Sequence, residues 1–131
     1  HKSHQNGLDA DLLFIGRTTW DSVLDENGKV TEKFELEKNW EYWRMLTSQR
    51  IVQAGKVESV ISMILVAPEI KTHLCEWALS TGALNDPLNL EVMRRIRPTE
   101  GHDDHFHLRL QCSPYHLECK KSYSPPKNSG C

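Results

Sequence analysis

The chain has 131 residues, 38% of them hydrophobic and 26% charged, with a formal net charge of −2. That length suits a single domain with its own core, and the composition suits a soluble globular protein. The charge balance argues against a nucleic-acid binder, which should carry a basic stripe, and the longest apolar run, 60–67, falls far short of the roughly 20 residues of a membrane span.

Residues 8–17 read as a strand ended by Gly16, with Leu8, Leu12 and Phe14 on one face and Asp9 and Asp11 on the other. Residues 18–36 are polar and suggest a hairpin or loop over the site, turning at Asp25-Glu26-Asn27-Gly28; Trp20 within it is expected in the core, with a place in a substrate groove as the rival reading. Asn39 is placed to cap a helix over 40–54 that stops at Gly55, its aromatics Trp40, Tyr42 and Trp43 packing inward. The β-branched stretch 57–66 reads as a central buried strand. A second helix follows over 68–79, opened by Pro68 and closed near Gly82, with His73 on it in a structural role. Asp86-Pro87 opens a third, short helix reaching Arg95, which Arg97-Pro98 breaks. A strand through 105–110 comes next, and 122–131 is an irregular tail rich in Ser, Pro and Lys. This irregular order of elements implies an α+β fold with a small, mostly antiparallel sheet and helices on one face.

The four cysteines, at 75, 112, 119 and 131, indicate disulfides and an oxidising compartment, because no Cys-x2-Cys spacing points to metal. Of three possible pairings, Cys112–Cys119 closes a short loop and Cys75–Cys131 pins the tail, and this pairing is the expected one. The chain opens inside a histidine cluster without an initiator Met, which is read here as a processed or truncated product lacking its N-terminal part.

Five of the seven histidines fall into two clusters: His1 and His4 before the first strand, and His102, His105 and His107 before and within the last. Strand alternation sets His105, His107 and Arg109 on one face and Phe106, Leu108 and Leu110 on the other, with the two imidazoles roughly 7 Å apart. Imidazole nitrogen and carboxylate oxygen are ordinary Zn²⁺ donors, and a catalytic zinc takes three protein ligands with one position left for water. One His and one Asp from the first cluster plus one His from the last would complete such a site on the sheet face away from the helices. Asp9 and Asp11 share a face, so spacing alone does not choose between them.

The segments Ser3-His4-Gln5-Asn6-Gly7-Leu8-Asp9-Ala10-Asp11 and His102-Asp103-Asp104-His105-Phe106-His107-Leu108-Arg109-Leu110-Gln111-Cys112 closely resemble the penicillin-insensitive murein endopeptidases. These belong with lysostaphin, the D-alanyl-D-alanine peptidases and the hedgehog-type zinc domain, whose motifs are His-x6-Asp and His-x-His. The resemblance covers both ends of the chain well and the middle loosely. It implies that His4, Asp11 and His107 bind Zn²⁺ and that His105 is the catalytic histidine, and it implies the same cysteine pairing. Asp9 would then orient a ligand from behind. His102 is a further candidate for oxyanion stabilisation or proton transfer, and His1 for contact with this metal or a second one. Arg109 is a candidate for binding a substrate carboxylate, with a salt bridge as its commoner fate, and Asp103 and Asp104 are expected to solvate the loop.

The resemblance further implies cleavage of peptidoglycan cross-bridges between D-alanine and meso-diaminopimelate, a periplasmic or secreted location, and association with a missing N-terminal segment. Three alternatives share the same metal site: a D-Ala-D-Ala carboxypeptidase, a secreted antibacterial toxin that degrades peptidoglycan, and a non-catalytic zinc-binding module.

Overall fold

In the computed structural model, which describes residues 8–53, 55–112 and 125–131, the chain runs β1 (Asp9–Leu12), α1 (Leu36–Thr47), β2 (Arg50–Gln53), β3 (Lys56–Ser59), β4 (Ile61–Val66), α2 (Pro68–Thr81), α3 (Pro87–Arg95), β5 (Ile96–Pro98) and β6 (Phe106–Leu110). A single 3-10 turn, Ala83–Asn85, joins α2 to α3. Four strands form one sheet in the order β1-β6-β4-β5, antiparallel except for the β4–β5 pair, and β2 with β3 forms a separate hairpin. The α+β class with a mostly antiparallel sheet is therefore as expected. No helix among the described residues is long and apolar enough to cross a membrane.

β4 is central because all six of its residues are apolar or small and all six are buried. Its register with β6 then sorts the two sheet faces, since opposed residues of an antiparallel pair share a face. Leu108 opposes Ile64 on β4 and Ala10 on β1, while His107 opposes Leu65 and Asp11, and Arg109 opposes Met63 and Asp9. Phe106, Leu108, Ile64 and Val66 join the main core. There Phe106 meets Trp43 of α1 at a ring-centroid distance of 5.5 Å and Phe14 at 5.9 Å. The other face carries Asp9, Asp11, His107 and Arg109.

Local chemistry explains the helix ends. Pro68 opens α2 and Gly82, in the left-handed region at φ +72°, closes it. Asp86 caps α3 by accepting from the N–H groups of Leu88 and Asn89. Asn39 has a different task. It is fully buried inside α1, where its Oδ1 accepts from the Ile15 N–H at 2.8 Å and its Nδ2 donates to the Glu35 carbonyl at 2.8 Å. It thus ties the chain leaving β1 to the start of α1.

Several expected boundaries are corrected. The strand expected over 8–17 stops at Leu12, because the chain turns through Gly16 (φ +91°) toward Asn39. The helix expected over 40–54 begins at Leu36 and ends at Thr47. Its expected last turns are the β2–β3 hairpin instead: Ile51, Val52 and Val57 favour a strand, and Gly55 at φ +77° belongs to the turn between the strands. The strand expected over 57–66 is accordingly two, and only β4 is the buried centre. Trp20 is not in the core; it is 57% exposed. The turn at Asp25–Gly28 forms as expected, the Gly28 N–H donating to the Asp25 carbonyl at 3.0 Å.

Cys75 and Cys131 are bonded, so residues 125–131 are pinned to α2. Cys112 is also disulfide-bonded, and its expected partner Cys119 lies outside the described residues. One turn before Cys75, the buried Lys71 amine donates to the carbonyls of Met93, Ile96 and Ser129 at 2.8, 2.9 and 2.7 Å. It holds the end of α3 and the tail to α2. Burial pushes the Lys71 ammonium down to about 8 from its ordinary 10.5. The folded chain therefore binds fewer protons than the unfolded chain between those values, so the penalty for burying this charge is felt below about pH 8 and relieved as pH rises. Urea unfolding near pH 7 and near pH 10 should show wild type gaining stability relative to Lys71→Met across that window, and a constant difference would contradict it.

Candidate active site

β1 and β6 bring together residues about a hundred positions apart. The Asp9 side chain is 0% exposed and lies between two donors: its Oδ1 is 2.6 Å from His107 Nε2 and its Oδ2 is 2.6 Å from Arg109 Nη1. His107 is itself 1% exposed. Two residues on, Asp11 reaches the rim of the same face with its side chain 40% exposed, and its Oδ1 lies 3.0 Å from His107 Nδ1. The Asp11 Oδ1 is also 3.7 Å from His105 Nε2. A single carboxylate oxygen therefore stands between two imidazole nitrogens.

The remaining histidines come from the loop ahead of β6, which is fastened to the fold by its own backbone. Thr99 N–H donates to Val66, Ala67 N–H donates to the His102 carbonyl at 2.8 Å, and Val23 N–H donates to the Asp103 carbonyl at 2.9 Å. The His102 ring lies 5.0 Å from His105 and 6.2 Å from His107. Trp20 sets its ring edge-on to His105 at 5.5 Å. Of the 18–36 stretch expected over the site, Trp20 and Val23 meet it, whereas Gly28, Lys29 and Val30 lie beside α2 near His73.

His107 and Asp11 offer two donors of the kinds a divalent cation takes. His107 has a carboxylate oxygen at each ring nitrogen, the shorter contact being that of Nε2 with the buried Asp9. With a metal bound at Nδ1, the single hydrogen of the neutral ring would sit on Nε2 and be accepted by Asp9, a backing carboxylate of the kind that fixes the tautomer of a metal-binding histidine. Among the described residues alone no group of three or more His, Cys, Asp or Glu is arranged to hold a metal. The third expected ligand, His4, and the candidate His1 lie outside the described residues.

Arg109 takes the salt bridge expected as its commoner fate: it is 2% exposed and bonded to Asp9, and it does not reach the surface for a substrate carboxylate. Asp104 does not merely solvate its loop, because its Oδ1 lies 2.5 Å from His105 Nδ1. The one available signal for Asp104 was a carboxylate next to a histidine in a histidine-rich loop; nothing in the sequence places Trp20 at His105. Trp40 and Trp43 are buried as expected, and His73 packs against Phe34 at 6.2 Å, away from these histidines. Asp9→Ala should strand two buried donors and destabilise the fold by about 3–5 kcal/mol in urea unfolding, and a loss below about 1 kcal/mol would contradict the buried network.

A profile of the penicillin-insensitive murein endopeptidases matches residues 1–131. Proteins with that name from Pectobacterium atrosepticum and Klebsiella pneumoniae are each 32% identical to the chain over its whole length, and one from Haemophilus influenzae is 29% identical over the same extent. The matched parts make up 45%, 46% and 44% of those relatives, so the chain spans about half the length of the curated relatives it matches. Full-length family matching and the paired His and Asp motifs agree: the chain belongs to the penicillin-insensitive murein endopeptidase family.

Proposed function

We propose that the chain is the peptidase part of a zinc-dependent murein endopeptidase that cuts peptidoglycan cross-bridges between D-alanine and meso-diaminopimelate. The observation that carries this reading is the Asp11 oxygen set between His107 Nδ1 and His105 Nε2 in a member of this family. The names of the relatives supply murein as the substrate class. His4, Asp11 and His107 are the proposed metal ligands. Zinc held there supplies Lewis acidity, which makes a nucleophilic water available near neutral pH and offsets charge on the carbonyl oxygen.

The chain's own residues do the rest. Asp9 holds the His107 ring so that Nδ1 faces the rim. His105 presents Nε2 toward Asp11, within reach of a group bound there, and delivers a proton to the departing amine. His102, beside it, is placed to share the developing charge. The exposed Trp20 ring forms a wall on the open side of His105, where a peptide would lie. No serine nucleophile takes part, so a β-lactam finds no hydroxyl to acylate. The cross-bridge substrate and the disulfides together favour a periplasmic or secreted location.

The test separates ligand from proton carrier. His107→Ala should lose both zinc and cleavage. His105→Ala should keep close to stoichiometric zinc and lose a factor of about 10²–10⁴ in turnover of cross-linked muropeptides. Metal content and chromatographic product analysis on the same preparations read both. Zinc-free but folded His105→Ala protein would reverse the two roles, and wild-type release of only a terminal D-alanine would replace the endopeptidase by a carboxypeptidase.

A further inference from the structure

Asp104 immediately precedes His105 and contributes nothing to the Asp9–His107–Arg109 network. Its Oδ1 lies 2.5 Å from His105 Nδ1. An ionised carboxylate only accepts hydrogen bonds, so the hydrogen in this contact belongs to Nδ1 in either charge state of the ring. Proton exchange is then left to Nε2, the atom that lies 3.7 Å from Asp11 Oδ1. The pair is held as well as formed. The carbonyls of His102 and Asp103 accept backbone N–H groups from Ala67 and Val23, so the peptide just ahead of Asp104 is anchored to two separate parts of the fold. Trp20 and His102 then flank the His105 ring at 5.5 and 5.0 Å.

We infer that Asp104 is the positioning residue of His105, keeping the hydrogen on Nδ1 and aiming Nε2 at the Asp11 rim. The consequence for turnover rests on the peptidase reading above; the consequence for the tautomer does not. A carboxylate that merely stabilised the loop would leave the protonated nitrogen of His105 unspecified.

The experiment uses the chain with isotope-labelled histidine, the His105 nitrogen resonances being assigned by their loss in His105→Gln. In wild type, His105 should carry its hydrogen on Nδ1. In Asp104→Ala, and in the similarly sized but non-accepting Asp104→Leu should the alanine variant not fold, the form protonated at Nε2 should appear. Turnover of cross-linked muropeptides should fall about 10- to 100-fold in kcat with KM and zinc content unchanged, as for other carboxylates that orient a working histidine. Asp104→Glu should recover part of both signals. An unchanged His105 tautomer in the substituted chains overturns the inference, and so does an altered tautomer with undiminished kcat in a chain whose wild type cleaves. A wild-type chain that cuts no muropeptide, but shows the expected tautomer change on substitution, sinks the peptidase reading and supports the placement of His105 by Asp104.

Discussion

The Asp9 carboxylate is the constraint on which the site depends. A fully buried anion is costly unless cationic or polar donors surround it, and here His107 and Arg109, both from β6, supply them at 2.6 Å each. The three groups cannot be satisfied unless β1 lies beside β6 in one register, Asp9 against Arg109 and Asp11 against His107. A slip of one residue would turn Asp9 and Asp11 toward the apolar core and strand Arg109 without its carboxylate. The electrostatics of one buried carboxylate thereby set the approach of Asp11 to the His107 ring.

The apolar half of the sheet backs this arrangement from below. Phe106 and Leu108 alternate with His107 and Arg109 along β6, so the residues that anchor the strand in the core are also those that present the imidazole on the far side. Phe14, Phe34, Trp43 and Phe106 form a continuous ring cluster, with Phe14 and Phe34 at 5.3 Å and Phe34 and Trp43 at 6.3 Å. This cluster fills the space between β6, α1 and the chain leaving β1. Asn39 adds the polar tie that the turn after β1 needs, because the Ile15 N–H would otherwise have no strand partner there.

Much of this was legible in the sequence where one residue pattern had one physical meaning. The continuous apolar stretch of β4, Pro68 and Gly82 at the ends of α2, and Asp86-Pro87 before α3 each carried an unambiguous signal. The 40–55 region did not, since Ile51 and Ala54 fit a helical stripe while Ile51, Val52 and Val57 fit a hairpin, and Gly55 can end either. Tertiary pairing decided that case. At the site, alternation placed His107 and Arg109 on one face, but it could not say that Arg109 would be buried, because burial depends on Asp9 arriving from the opposite end of the chain. Likewise, no period in 102–105 relates Asp104 to His105. Their contact comes from the loop conformation that Val23 and Ala67 impose through backbone hydrogen bonds.

The hydrogen bonds that tie Asp9 and Asp11 to His107 and Arg109 join positions 96 to 100 residues apart, the longest span being Asp9 to Arg109. Loop closure over such a distance costs more entropy than any hairpin or helix turn in the chain, and it is repaid only when both strands are present together. During synthesis, α1, the β2–β3 hairpin, β4 and α2 can gather while β1 still lacks its neighbour. The segment that brings His105 and His107 to Asp11 emerges about ninety-five residues after it. A nascent chain thus holds Asp9 and Asp11 well before His105 and His107 can reach them, so this pairing forms only once β6 is in place and not in increments along the way.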